Sequence, residues 1–174
     1  MSVRVVRILD GTRRRGVTAD LAQRVGTHLG ATVESLPWHP VLDRAIDPSR
    51  GQYSATALLD QVVRSSDDAV RRIGVVDADL FVPVLTFVFG QAMLGGVGGI
   101  VSTARLANEF YGLPRDDRLL EERLEKELVH EIGHLLGLVH CRQFECVMRS
   151  STYVEEIDLK RAAACPDCFV ALRA

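Results

Sequence analysis

Lysine is nearly absent from this chain: Lys126 and Lys160 are the only two, and 21 basic residues fall short of 23 acidic ones, for a formal net charge of −2. That balance offers no electrostatic footprint for nucleic acid. The densest basic run, Arg13-Arg14-Arg15, reads as a solvated loop. Aromatic residues are scarce as well, at 6%, which argues against a base-stacking platform. No apolar run has the length of a membrane span. The opening MSVRVVRILDG alternates like a strand and lacks the apolar core and cleavage site of a secretory leader. The expectation is a cytoplasmic protein with no membrane partner. In a reducing compartment, four cysteines point to metal or redox chemistry more than to disulfides. The glycine-rich stretch Gly90–Gly99 lacks the ending of a phosphate loop and the spacing of a dinucleotide loop. It reads as a mobile connector, with a loop beside a substrate cleft as the alternative.

What is present fits one domain of 174 residues, 47% of them hydrophobic, enough for a core. Val3–Leu9 reads as a strand. Thr18 caps a helix carrying Leu21, Val25 and Leu29 that Gly30 ends. Ala31–Leu36 is a second strand, Pro37–Gly51 a long loop and Ser54–Ser65 a helix. A short helix over Asp67–Ile73 is expected to close at Gly74. Strands are expected at Val75–Asp79, at Phe81–Phe89 (with Pro83 marking a strand start or an edge) and at Ile100–Ala104. Asp116–Leu136 is the longest helix, and a short one follows near Glu155–Ala164. Strands and helices alternate first and the long helix comes late. This predicts an α+β (α/β layered) fold, a mixed sheet over a long helix; a monomer is expected, though nothing in the sequence fixes the oligomeric state.

The stretch HEIGHLLGLVHC, His130 to Cys141, holds three of the five histidines. His130 and His134 are four apart on a helix, so their imidazoles project from one face about 6 Å apart along the axis. That spacing lets them share a metal. A straight helix would turn His140 about 120° away and carry it about 9 Å further. Gly137 lies between, where the chain must bend, and glycine adopts the left-handed geometry that ends a helix. Three neutral imidazoles suit zinc and leave a coordination position open. Glu131, between the first two histidines, is placed to take a proton from a zinc-bound water as general base and return it to a leaving amine.

Cys141 adjoins His140, and neighbouring side chains of an extended segment face opposite ways. If His140 faces one metal, Cys141 faces a second site behind it. Cys146, Cys165 and Cys168 can complete a four-thiolate structural zinc site. Two disulfides or a redox-active Cys165–Cys168 pair are the alternatives. Only 37 residues follow Gly137, a segment too small to bury much apolar surface without a staple. A division at 1–137 and 138–174 follows, within one compact domain.

The whole pattern is His-Glu-x-x-His-x-x-Gly-x-x-His-Cys, four residues, Cys-x-Met, a spacer and Cys-x-x-Cys, from His130 to Cys168. It resembles that of the archaemetzincins, a metzincin-clan family of zinc metallopeptidases. Weaker likeness extends through GQYSATALLD (Gly51–Asp60), DADLFVPVLTFVFGQA (Asp77–Ala92) and VSTARL (Val101–Leu106), well over half the chain in all. The resemblance implies a zincin-like fold: a mixed twisted sheet over an active-site helix and a small C-terminal zinc-stapled subdomain. It implies two zinc ions, one catalytic on His130, His134 and His140 with Glu131 as base, and one structural on Cys141, Cys146, Cys165 and Cys168. Met148 matches the methionine that floors such a site; by itself it reads as a core residue. Sixteen residues separate Met148 from Cys165, one fewer than the family pattern.

Relatives in that clan take substrate as an added strand at the sheet's edge, and Phe81–Phe89 is the candidate edge. Tyr153 is a weaker candidate for oxyanion stabilisation, with a packing or surface tyrosine as the plainer reading. The expected activity is zinc-dependent hydrolysis of peptide bonds in peptide or protein substrates. A non-catalytic, zinc-stabilised binding module with an occluded or vestigial site is the alternative, and the intact Glu131 argues against it.

Overall fold

Thr18 and Gly30 delimit the first helix as their chemistry demands. The Thr18 hydroxyl accepts the Leu21 N–H at 3.1 Å, and Gly30 closes α1 (Ala19–Leu29) at φ 60°. α1 links β1 (Arg4–Asp10) to β2 (Ala31–Pro37), which pairs with it in parallel. A computed structural model describes residues 4–14, 16–66 and 68–173. Val3, Arg15 and Asp67, each part of an expectation above, lie outside the described residues.

Chain order continues with β3 (Ile46–Asp47), β4 (Gln52–Ser54), α2 (Ala55–Arg64), β5 (Arg71–Val76), β6 (Leu80–Phe81), β7 (Gly90–Ala92) and β8 (Gly98–Ser102), followed by α3 (Asp117–Leu135), α4 (Val154–Leu159) and α5 (Pro166–Arg173). The main sheet has the order β2-β1-β5-β8-β7; β7 alone is antiparallel, and it forms one edge. A small second sheet, β3-β4-β6, adjoins the loops. α1 and α3 cover one face of the main sheet and α2 packs against β5, β7 and β8. Two apolar clusters fill the layers: Val6, Ile8, Ile73, Leu128 and Ile132 belong to one, Leu58, Val62, Val76 and Ile100 to the other. This is the layered α/β fold with a mixed, twisted sheet that the sequence predicts. Among the described residues no helix is long and apolar enough to cross a membrane.

α3 starts where Asp116 Oδ1 accepts the Leu119 N–H at 2.9 Å. Leu124, Leu128, Ile132 and Leu135 recur at helical spacing and are all buried. From Leu128 to Gly133 every residue of α3 is buried, His130 and Glu131 included. The sheet covers one side of this stretch, and Val147, Met148, Val154 and Ile157 join the same core cluster.

Several local expectations are corrected. No helix ends at Gly74: Arg71–Val76 is a central strand between β1 and β8, so the expected strand start at Val75 also moves. Gly74 breaks no helix. A Cβ there would meet Val62 Cγ2 at 2.7 Å and Ile100 and Trp38 at 2.8 Å, so close packing is the reason for glycine. Of the expected strand 81–89 only Phe81 lies in a strand, as the second residue of β6. The chain turns at Pro83 and returns to pair Val88 with Leu80. Gly90–Gly99 is no loose connector but β7, a turn and the start of β8. Gly95 (φ 64°) donates its N–H to His134 O at 2.8 Å and ties the turn to α3. α5 had no counterpart in the sequence reading, because its Cys-x-x-Cys draws attention as a ligand pair. Pro166 nonetheless suits a first helical position.

Candidate active site

The bend at Gly137 is a Schellman turn. Gly137 N–H donates to His134 O and Leu138 N–H to Gly133 O, each at 2.9 Å, with Gly137 at φ 97°. α3 thus stops one residue after its second histidine has been presented, and the chain folds back. His140 returns to the other two rings, with centroids 5.3 Å from His130 and 4.9 Å from His134. One ligand atom from each of the three histidines lies within 4.8 Å of the others.

Hydrogen bonds at the far side of two rings decide their chemistry. His130 Nδ1 donates to Val147 O at 2.8 Å and His134 Nδ1 to Leu138 O at 2.7 Å. A neutral imidazole that has spent its proton on Nδ1 carries a lone pair on Nε2. The two Nε2 atoms are 3.1 Å apart, so two lone pairs face one another with no proton to share. A cation between them resolves that repulsion. Tetrahedral zinc–imidazole bonds of about 2.0–2.1 Å put ligand nitrogens about 3.3 Å apart, close to the spacing here. Burial, above all, drives the His130 pKa down to about 3, and also lowers that of His134. Both rings are therefore neutral, the form that binds metal.

Glu131 is 5% exposed, and its carboxyl is pushed well above the usual range, first by burial and then by the charge of Glu127. It packs against the edge of the sheet: a Cβ on Gly90 would come within 2.8 Å of Glu131 Oε1. A cavity of about 440 Å³ opens here, bounded by Leu85–Gly90, Glu127, His130, Glu131, His140, Ser150–Thr152 and Lys160. The edge that borders it is therefore β7 together with the segment leading into it, not a strand over 81–89. Tyr153 is 64% exposed and is not part of the lining. A second cavity, of about 470 Å³ at the carboxyl ends of β1, β5 and β8, has mixed charges and no histidine or cysteine in its walls.

Behind the rings, Cys141, Cys146, Cys165 and Cys168 offer four sulfurs within 4.8 Å of one another. Cys141 Sγ and Cys165 Sγ are 3.8 Å apart, close to the ~3.8 Å that tetrahedral zinc–thiolate bonds of about 2.3 Å require. Backbone N–H groups point at two sulfurs, Gln143 to Cys141 and Cys165 to Cys146, as thiolates favour. Val147 N–H to Ala163 O and Arg161 N–H to Glu145 O lace the two halves of the cluster together. The shortened spacer after Met148 is absorbed, and Cys165 still reaches Cys141.

Four residues escaped the sequence reading. Gly133 lies over Met148, and a Cβ there would sit 2.6 Å from Met148 Sδ. Glu127 and Lys160 form a buried ion pair at 3.6 Å. Ser151 places a buried, unpartnered hydroxyl in the lining. Only Glu127 left a trace in the sequence: it falls on the helix face of His130, Glu131 and His134, where it reads as an ordinary surface charge.

The model of peptidase family M54 matches residues 36–174. The archaemetzincin of Methanocaldococcus jannaschii is 40% identical over 140 residues, covering 80% of this chain and 76% of that one. The crystal structure of the Methanopyrus kandleri archaemetzincin superposes with a TM-score of 0.85 at 33% identity, covering 98% of this chain and 94% of that one. A zinc-dependent peptidase from Methanocorpusculum labreanum superposes at 0.84 with 30% identity, covering 97% and 99%. Fold, ring geometry and kinship agree: the chain belongs to peptidase family M54, the archaemetzincins, and is a metallopeptidase.

Proposed function

We propose that this peptidase works with zinc held by His130, His134 and His140, with Glu131 as general base, and that a second, structural zinc sits on Cys141, Cys146, Cys165 and Cys168. The observation that carries the reading is the pair of Nε2 atoms 3.1 Å apart whose Nδ1 protons are both committed to carbonyls. Zinc there supplies Lewis acidity, polarising a substrate carbonyl and lowering the pKa of water to about 7. Glu131 takes the proton of the attacking water and passes it to the departing amine nitrogen. Its burial suits both duties: a dication held by the three histidines would favour its ionised form, and the low-polarity wall makes it a willing acid once protonated.

The substrate lies extended along Gly90–Ala92, whose outer edge no other strand of the main sheet covers, and its backbone extends the sheet by one strand. Leu85–Phe89 and Ser150–Thr152 contribute to the walls of the cleft. The four clustered thiols call for a reducing compartment, and we assign the protein to the cytoplasm on that ground. Residues 138–174 act as a small lobe that carries the third histidine.

Glu131→Gln tests the reading. Metal content should stay as in wild type, while kcat/KM on a peptide library falls about 10²- to 10⁴-fold, the usual weight of a general acid–base group. A wild-type protein that holds metal on its histidines and leaves every peptide intact would overturn it.

A further inference from the structure

The turn around Met148 holds the site through its backbone. Val147 O accepts from His130 Nδ1 at 2.8 Å, and Met148 O accepts the Cys141 N–H, next to His140, at 3.0 Å. Arg149 O accepts from Lys160 Nζ at 2.9 Å, and the same ammonium reaches Val147 O at 3.4 Å. One nitrogen therefore bridges the carbonyls on both sides of Met148. Its counter-ion is Glu127, with Oε1 at 3.6 Å, and the two side chains are 1% and 4% exposed. Glu127 stands three residues before His130 and four before Glu131, on the α3 face that bears them.

A buried ion pair is a poor choice for adhesion alone. Desolvation of both charges offsets their attraction, and apolar groups of similar volume hold two elements together as well or better. What an ammonium offers is a compact donor with three N–H bonds, able to span neighbouring carbonyls. The chain uses arginine for all but two of its 21 basic residues. Its other lysine, Lys126, also bridges two carbonyls, Ile157 O at 3.0 Å and Asp158 O at 3.1 Å. Both lysines thus stand where two carbonyls close together in the chain share one small donor.

We propose that the Lys160–Glu127 pair is a positioning device for the histidine site: it clamps the Val147 and Arg149 carbonyls against α3 and so fixes the ring plane of His130 and the approach of the His140–Cys141 segment. Neither residue is catalytic; each acts through the carbonyls that the ligands use. The proposal rests on the three histidines being a metal site.

The test uses the full chain with zinc in the cysteine site and cobalt titrated into the histidine site. The variants are Lys160→Met, Glu127→Gln and the double variant Lys160→Met/Glu127→Leu, which replaces the pair with apolar groups and keeps the packing. The readouts are the visible cobalt spectrum and the cobalt affinity, with retained cysteine-site zinc reporting that the fold is intact. In Lys160→Met and in the double variant, cobalt should bind about 10- to 100-fold more weakly, the range for partners that orient metal-bound imidazoles, and its absorption bands should shift. Glu127→Gln should show the same change to a smaller degree. A double variant that folds and binds cobalt with wild-type affinity and spectrum overturns the proposal and leaves the pair as a simple staple. A wild-type spectrum that survives His130→Ala overturns the metal-site reading itself, and the proposal falls with it.

Discussion

The histidine cluster and the cysteine cluster share one short segment, since His140 and Cys141 are neighbours, yet they are built for opposite ends. The histidine site has three imidazole donors, one of them exposed, and opens onto a cavity with a buried carboxyl beside it. The cysteine site has four sulfurs drawn together by backbone bonds between residues 145–147 and 161–165. Three neutral ligands leave a zinc ion its charge and a free position, whereas four thiolates more than neutralise it and close the shell. Reactivity is therefore set by donor count and charge, and the chain keeps both kinds of donor set within adjacent residues, His140 joining one and Cys141 the other.

Metal removal probes that contrast with the largest effect. Under graded chelation, activity should vanish while the thermal midpoint holds, with the first zinc lost coming from the histidines. Release of the cysteine-bound ion first, followed by element-resolved metal analysis and by thiol titration, would show the comparison to be inverted. Next in size is Cys146→Ala, which removes a buried thiol from the proposed stapling site. Loss of a structural metal belongs to the most damaging class of substitution, at about 4 kcal/mol or more. Urea unfolding should report that loss, and the histidine site should weaken with it, because Cys146 adjoins Val147, whose carbonyl orients His130. Full stability in this variant would mean that the four sulfurs hold no ion.

The smallest effects come from two glycines on either side of His134. Alanine in mid-helix is ordinarily favoured over glycine by roughly 0.5–1 kcal/mol, so Gly133→Ala ought to stabilise. Here its Cβ would meet Met148 Sδ at 2.6 Å, and overpacking of this kind costs about 1–3 kcal/mol, so the sign should reverse. Gly137→Ala meets no atom within 4 Å, and its cost, about 1–2 kcal/mol, comes from the left-handed backbone alone. The two can be told apart by adding Met148→Ala, which should rescue only Gly133→Ala. Equal rescue of both would refute the assignment of clash to one and strain to the other.

The gathering of the three histidines and of the four cysteines was legible because its signals are local. A four-residue spacing on a helix, a glycine at the bend and a Cys-x-x-Cys each make sense within a turn or two of chain. Thr18 and Gly30 read correctly for the same reason, since a helix cap is a contact within about four residues of chain. Gly74 misled because a helix-ending glycine and a closely packed strand glycine look alike until the neighbours are known. The stretch from Phe81 to Gly99 was misread because its edge strand is only three residues long and is defined by pairing with β8, which no local pattern reveals. Lys160 was invisible as a site residue, its partners lying 11, 13 and 33 positions away.

By itself, then, the order of residues determined which histidines and cysteines the fold gathers into two clusters and where the helix that presents the first two histidines stops. Only the tertiary structure decided which carbonyls orient His130 and His134, which edge of the sheet borders the cavity, and that a lone ammonium buried against Glu127 ties the Met148 turn to α3. The division follows from range: helix periodicity and backbone turns act over a few residues, while burial, desolvation and ring orientation depend on groups that meet only after the chain has folded.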